Sequence, residues 1–401
     1  MDFGINFFPA VSPAEKAASR YFAEALALVE LTEDLGFGHV KAVEHYFFPY
    51  GGYSPDPVAF LAAAAARTSR IRLVTGAVIP AFSHPVQLAG KLAMLDNLAH
   101  GRLDVGVGRG FLPGEFEAFG IPMEESRDRF TAGVDAVRRL WSEEEVRVDG
   151  PWFSFGPVTL LPRPYQRPHP PLLVAAAVSA ESCRAAGAAG HGLMLVPSVA
   201  PRETVRSMID VHREAWRAAG HPTGGERVHL TYDCFVHEDG AAARAAARAY
   251  AGRYQERFRA ALTGWGGADR PGYEGYRRLV EQVGTGDPDA AVREDRVLAG
   301  TPDEVLAQLT RIRDWFGDVA VSLNLGTGRT PGGGRADGPA AGQARAARLP
   351  RAGLSPARAP WAPPAQGPGN AEGPAGSPNG LPPAPAVRFC WVLRGVTRPR
   401  G

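Results

Sequence analysis

The chain has 401 residues, 45% of them hydrophobic, with 44 Lys and Arg against 42 Asp and Glu, which is apolar material for one large domain or two to three ordinary ones. No apolar run approaches the roughly 18 residues of a membrane span, and the opening MDFGINFF lacks the basic start of a secretory signal, so a cytoplasmic protein without a membrane partner is expected. Cys183, Cys234 and Cys390 are too few and too scattered for a disulfide framework or a zinc site, and no metal is expected.

Along the chain, short apolar runs alternate with helical patterns. FGINFF (3–8) precedes a helix pattern over 18–35, HVKAV (39–43) precedes 55–67, IRLVTGAV (71–78) precedes 85–99, and RLDVGVG (102–108) precedes 124–141. LLVAAAV (172–178) then leads to 180–189, GLMLVP (192–197) to 201–219, and VHLTYDCFV (228–236) to 239–261. The last strand pattern, VAVSLNL (319–325), follows a helix over 302–315 that opens on the capping pattern Thr301-Pro302-Asp303-Glu304. Strand then helix, repeated, means parallel strands joined by crossover helices. Eight such units predict an α/β fold of the (β/α)8 TIM-type barrel kind rather than an open doubly wound sheet. Two insertions interrupt the repeat: residues 142–171 after the fourth unit, punctuated as a hairpin and loop, and the Gly-rich residues 262–292 after the seventh. Insertions of this kind are expected over the active face.

The composition changes after residue 326. Residues 327–401 hold ten Arg, no Lys and only Asp337 and Glu372 among the acids, within a Pro/Gly/Ala/Arg-rich segment, so residues 1–326 are net acidic. A segment with so little apolar periodicity cannot offset its ordering entropy, and 327–401 is expected to be a disordered tail behind a barrel domain of residues 1–326. Its arginines are dispersed and lack interleaved aromatics, which favours a solvated tail over a nucleic-acid partner.

Functional residues of such a barrel belong at the C-terminal ends of its strands. Glu44 and His45 close the second strand, Gly76 and Ala77 the third, GVGRG (106–110) the fourth, and VSAES (178–182) leads from the fifth into a helix. Each has a plainer reading: a rim ion pair, a turn that needs glycine, surface cations at Arg109 and Arg127, helix-start serines at Ser179 and Ser182. Convergence on one face points further. Two arginines and a Ser-rich helix N-terminus together suit a phosphate, through charge, bidentate hydrogen bonds and free backbone N–H groups.

The segments VEHYFFPYGG (43–52), TGAVIPAFSHPVQLAGKLAMLDNLAHGRLDVGVGRG (75–110) and FEAFGIPMEESRDRF (116–130) resemble the luciferase-like flavin-dependent monooxygenases, over roughly residues 1–326. The resemblance implies a (β/α)8 barrel holding reduced FMN at its mouth, with partner subunits packed through helices beside the second and third strands, hence a homodimer. It implies that His45 is the active-site histidine, that Gly76-Ala77 is a non-prolyl cis peptide beneath the flavin ring, and that Arg109 and Arg127 hold the FMN phosphate. Where the luciferase members have an acidic residue and a serine this chain has Ala177 and Val178, and Ser179 and Ser182 are expected to take over the hydroxyl role.

The implied chemistry is monooxygenation of an apolar organic substrate by O2 through a flavin hydroperoxide. A separate reductase would supply FMNH2, since no nicotinamide fingerprint is present. His45 would handle the proton, because imidazole titrates near neutral pH, with Glu44 fixing its tautomer. Phe7, Phe8, Tyr46, Phe47 and Phe48 would form a dry wall. A deazaflavin- or FMN-dependent dehydrogenase of the same fold stays open, as does a noncatalytic flavin-binding partner subunit. Retention of both His45 and Arg109 weighs against the last.

Overall fold

The computed structural model describes residues 1–177, 179–265, 273 and 287–325. The tail expected over 327–401 and most of the second insertion lie outside the described residues. Within them the chain runs β1 (Asp2–Phe7), α1 (Ala18–Asp34), β2 (His39–Ala42), α2 (Pro57–Ala65), β3 (Arg72–Thr75), α3 (Pro85–Leu98), β4 (Leu103–Val107), α4 (Pro113–Ala118) and α5 (Ser126–Ser142). It continues through β5 (Val146–Asp149), β6 (Ser154–Val158), β7 (Leu172–Ala175), α6 (Ala180–Ala188), β8 (Gly192–Leu195), α7 (Arg202–Ala218), β9 (Val228–Val236) and α8 (Gly240–Ala261). The last elements are α9 (Pro288–Arg293), β10 (Leu298–Gly300), α10 (Pro302–Phe316) and β11 (Ala320–Asn324).

Eight parallel strands close in the order β1-β2-β3-β4-β7-β8-β9-β11, with β11 returning to β1 through Asp2 opposite Ala320. The architecture is therefore a (β/α)8 barrel, and its strands are buried on both faces, as the predominantly apolar runs require. Local signals start the helices where the sequence places them. Asp56 caps α2 by accepting from the N–H groups of Val58 and Ala59 with Pro57 in the first turn, and Thr301 and Glu304 form a reciprocal capping box on α10. The insertion over 142–171 carries the expected hairpin, β5 antiparallel to β6.

Three elements escaped the sequence pattern, among them the short helix α9 at the end of the second insertion. Strand β10 is three residues long, too short to register as a run, and it pairs with the C-terminal half of β9 at Cys234–Val236. Helix α4 lies in the loop after β4, between that strand and α5. At the N-terminal end of the barrel, buried Asp104 accepts from Arg72 and Arg227, each at 2.6 Å, which ties β3, β4 and the start of β9 together. No helix among the described residues is long and apolar enough to cross a membrane.

Candidate active site

The loops after β2, β3, β4 and β7 surround a cavity of about 1290 Å3 at the C-terminal ends of the strands. Glu44, His45, Gly76, Ala77, Arg109, Arg127, Ser179 and Ser182 all line it. The topology thus brings these eight candidate residues to one cavity, though not always in the expected pairing.

Glu44 is not the partner of His45. Consecutive residues on extended backbone point apart, and the carboxylate that meets the imidazole is Glu115 of α4, whose Oε1 lies 3.1 Å from Nδ1 of His45 and accepts the Tyr46 backbone N–H at 2.8 Å. Glu115 is buried, so the contact is shielded from solvent, and a carboxylate there favours the proton on Nδ1, which leaves Nε2 to accept or release one. Gly51, at φ +83°, closes behind the ring; a Cβ there would fall 2.7 Å from Cδ2 of His45.

Glu44 instead braces the neighbouring loop. Its Oε1 accepts from the Tyr46 hydroxyl at 2.8 Å and its Oε2 from the Ile79 backbone N–H at 3.0 Å. Burial pushes this carboxyl up to about 7, and Asp56 and Glu115 add to the shift against the lowering effect of its two donors. The same burial, together with Glu44, raises the Tyr46 phenol well above its ordinary value. The Ile79 contact anchors the loop that begins with the Gly76–Ala77 peptide, which is cis.

On the opposite wall, Arg109 stacks over the ring of Tyr273 at 4.1 Å, and one of its terminal guanidinium nitrogens is buried without a hydrogen-bond partner among the described residues. Arg127 stands 3.7 Å from Glu181 across the start of α6. Ser179 caps that helix, its Oγ accepting from the Ser182 N–H at 3.2 Å and from the Ser182 hydroxyl at 3.1 Å. The two serines therefore do what helix-start residues ordinarily do, and also line the cavity. A buried cationic nitrogen with no acceptor among the described residues, lining the same cavity as a helix N-terminus, fits a phosphate.

The apolar wall differs from the expected one. Phe8 faces the cavity, but Phe7 packs on Phe60 in the core with ring centroids 5.1 Å apart, and Phe47 is 64% exposed. Tyr46 and Phe48 also lie off the cavity lining, which Tyr50, Phe111, Tyr254 and Phe258 complete. Phe8 stands edge-on to Tyr50 at 4.9 Å, Tyr50 and Tyr254 share a 2.9 Å hydroxyl contact, and Phe111 stands edge-on to His45 at 5.9 Å. Sequence reasoning missed Glu115; its only trace is an acid in the first turn of a Pro-started helix, flanked by apolar residues in LPGEFEAF. It also missed the polar residues Asn6, Lys41, Asp233 and Asn324, which sit inside strand patterns and line the same cavity.

The sequence model of a family described as luciferase-like monooxygenase matches residues 1–318. An uncharacterised protein of Sinorhizobium fredii is 35% identical over 211 residues, which is 53% of this chain and 60% of that protein. The oxygenase component of flavin-dependent trigonelline monooxygenase from Acinetobacter baylyi is 30% identical over 164 residues, 40% of this chain and 45% of its own. This chain thus spans less than two thirds of the length of these curated relatives. Among solved structures, the monooxygenase RslO1 from Streptomyces bottropensis is 53% identical with a TM-score of 0.72, over 81% of this chain and 92% of that one.

Proposed function

The chain belongs to the luciferase-like monooxygenase family, and from that premise we propose that it is the oxygenase of a two-component system, taking reduced FMN from a separate reductase and O2 from solution to oxygenate a small organic substrate. The observation that carries this reading is the buried nitrogen of Arg109, without a hydrogen-bond partner among the described residues, in the same cavity as His45 and the N-terminus of α6. The oxygenase relative from Acinetobacter supports the division of labour with a reductase.

Reduced flavin, when bound, supplies the electrons that activate O2. Arg109, Arg127 and the start of α6 would hold the phosphate. Glu44, through the Ile79 N–H, fixes the loop after β3 on the cavity wall. His45, oriented by Glu115, exchanges a proton at Nε2. Phe8, Tyr50, Phe111, Tyr254 and Phe258 exclude water from the reacting centre. The monooxygenase relatives support this over hydride transfer without oxygen.

The test compares FMN with riboflavin, then adds oxygen. Arg109→Ala is expected to weaken FMN by about tenfold or more, the scale of a lost charge-assisted hydrogen bond, and riboflavin far less. Anaerobic mixing of the parent chain with reduced FMN, followed by an oxygen pulse, should consume O2. Equal weakening of both ligands removes the phosphate assignment, and a bound reduced flavin inert to oxygen favours a dehydrogenase.

A homodimer is part of the proposal. Helix α3 leaves Met94 and Leu98, one turn apart, each 52% exposed, an apolar face that supports packing against a second copy.

A further inference from the structure

The interior of the barrel, one layer below the rim, is divided into two chemically distinct halves. Val74, Ala77, Leu173 and Met194 form an apolar cluster on the side of β3, β7 and β8. The β9–β11–β1–β2 side is polar. There the Asn6 amide donates to Oδ1 of Asn324 at 2.7 Å, and the Asn324 amide donates to Oδ1 of Asp233 at 2.9 Å. The carboxylate at the end of this chain accepts only, so it fixes the direction of both amides. Oδ1 of Asn6 is left over: it is buried, it has no partner among the described residues, and its side chain lines the cavity.

Lys41 stands beside it, since Asn6 and Lys41 are register partners on β1 and β2. The lysine stem lies flat over Gly76, where a Cβ would fall 2.3 Å from Cγ of Lys41, and the ammonium donates to the Thr231 hydroxyl. Three N–H donors meet one protein acceptor among the described residues. An unused donor and an unused acceptor on adjacent strands, both buried and both on the cavity, are costly unless a ligand completes them.

We propose that Lys41 and Asn6 form a recognition subsite for a planar ligand edge that offers a hydrogen-bond acceptor beside a donor, the pattern of an imide or of a phenol on the same edge as a ketone but too far from it to chelate. The inference rests on the reading of this cavity as the place of a flavin and its substrate, and either of the two can present such an edge. It changes the expected substrate: a purely apolar chain would leave both protein groups unpaired, whereas an oxygenated ring would satisfy them. Burial draws the Lys41 amine down to about 7 and pushes the Asp233 carboxyl up to about 6, as befits an amine and a carboxyl that do not compensate each other.

Two probe pairs separate the sources, each a parent and its donor-blocked methyl derivative: FMN with N3-methyl-FMN, and 7-hydroxy-1-tetralone, whose hydroxyl cannot chelate its own ketone, with 7-methoxy-1-tetralone. Affinities are measured by equilibrium titration of the full chain and of Lys41→Met, which keeps the stem over Gly76 but loses the donors. The expected result is that, within one pair, methylation weakens binding to the parent chain by about tenfold and Lys41→Met weakens the unmethylated probe by a similar factor. If that pair is the flavin, the subsite reads the flavin's imide; if it is the tetralone, it reads the substrate. Discrimination within twofold in both pairs, or methyl discrimination that Lys41→Met leaves intact with the parent probe unweakened, overturns the proposal. A chain that binds FMN in an Arg109-dependent way and discriminates in neither pair refutes the subsite alone. A chain that binds no FMN refutes the flavin reading, and the tetralone pair then decides the subsite.

Discussion

His45 and Glu115 are in contact, and the roles proposed for them separate experimentally. A group that acts on the reacting centre contributes little to ground-state binding. His45→Ala is therefore expected to bind reduced FMN nearly as well as the parent chain, while product per flavin oxidised falls by roughly 100-fold and hydrogen peroxide rises in compensation. Glu115→Gln keeps an acceptor for the Tyr46 N–H, which now receives a neutral oxygen, so the fold should survive while the imidazole loses its anionic partner. The expected consequence is a fall in kcat with little change in KM. A Glu115→Gln enzyme with the parent's kcat would leave the carboxylate as a brace for the loop alone. The histidine was legible because it ends an apolar run; its partner was not, because the pairing depends on how α4 folds back over β2, a tertiary fact that no local pattern carries.

Most elements followed from periodicity and caps, but their contacts depend on single residues. Gly187 sits in α6 where that helix crosses α7: a Cβ there would fall 2.3 Å from the His212 carbonyl oxygen and 3.1 Å from the Trp216 nitrogen, both backbone atoms. Alanine would improve the helix by about 1 kcal/mol in isolation, yet backbone cannot yield as a side chain can. Gly187→Ala is expected to lose about 1–3 kcal/mol overall, seen as a lower midpoint in chemical denaturation; an unchanged or higher midpoint would show that the helices can slide apart. Elsewhere on the outer ring of helices, Leu98→Glu places a charge on the exposed apolar face of α3. Its expected effect is a shift toward monomer in sedimentation with the barrel still folded, and a parent chain that is already monomeric would remove the proposed dimer. The eight barrel strands were readable because each is a short, predominantly apolar run, a signature of strands buried on both faces, and several of the polar residues within them line the cavity. Strand β10 was not, since Leu298–Gly300 gains its identity from pairing with β9 rather than from any alternation of its own.

The molecule as a whole buries ionisable groups of both signs, and they pull its pH dependence in opposite directions. His229 is 5% exposed, and burial, helped by His39, Lys41, Arg227 and Arg72, holds its imidazole well below the ordinary value. Burial takes His191 down to about 4 and lowers His212 as well. In the unfolded chain these imidazoles take up protons near 6.5, whereas in the native state burial makes each of them take up its proton only at lower pH, so below about pH 6.5 the unfolded state binds more protons and stability falls with acidification. Glu44 and Asp233 do the reverse. Their native values of about 7 and about 6 lie above the unfolded 4.5 and 3.8, so they favour the native state at low pH, and that contribution is lost as pH rises from 3.8 to 6 for Asp233 and from 4.5 to 7 for Glu44. Each group contributes a slope of at most about 1.4 kcal/mol per pH unit within its window. Between pH 4.5 and 6.5 three imidazoles oppose two carboxyls, and the parent chain should lose stability only gently on acidification. Single substitutions expose the hidden slopes. His229→Gln should flatten the profile or tilt it toward greater stability at pH 5 than at pH 7, and Asp233→Asn should steepen the acid loss. Denaturant midpoints of the three proteins, measured across pH 4.5–7.5, decide the matter: parallel profiles would mean that the buried histidine and the cavity carboxyl keep their unfolded affinities for protons, contrary to their burial.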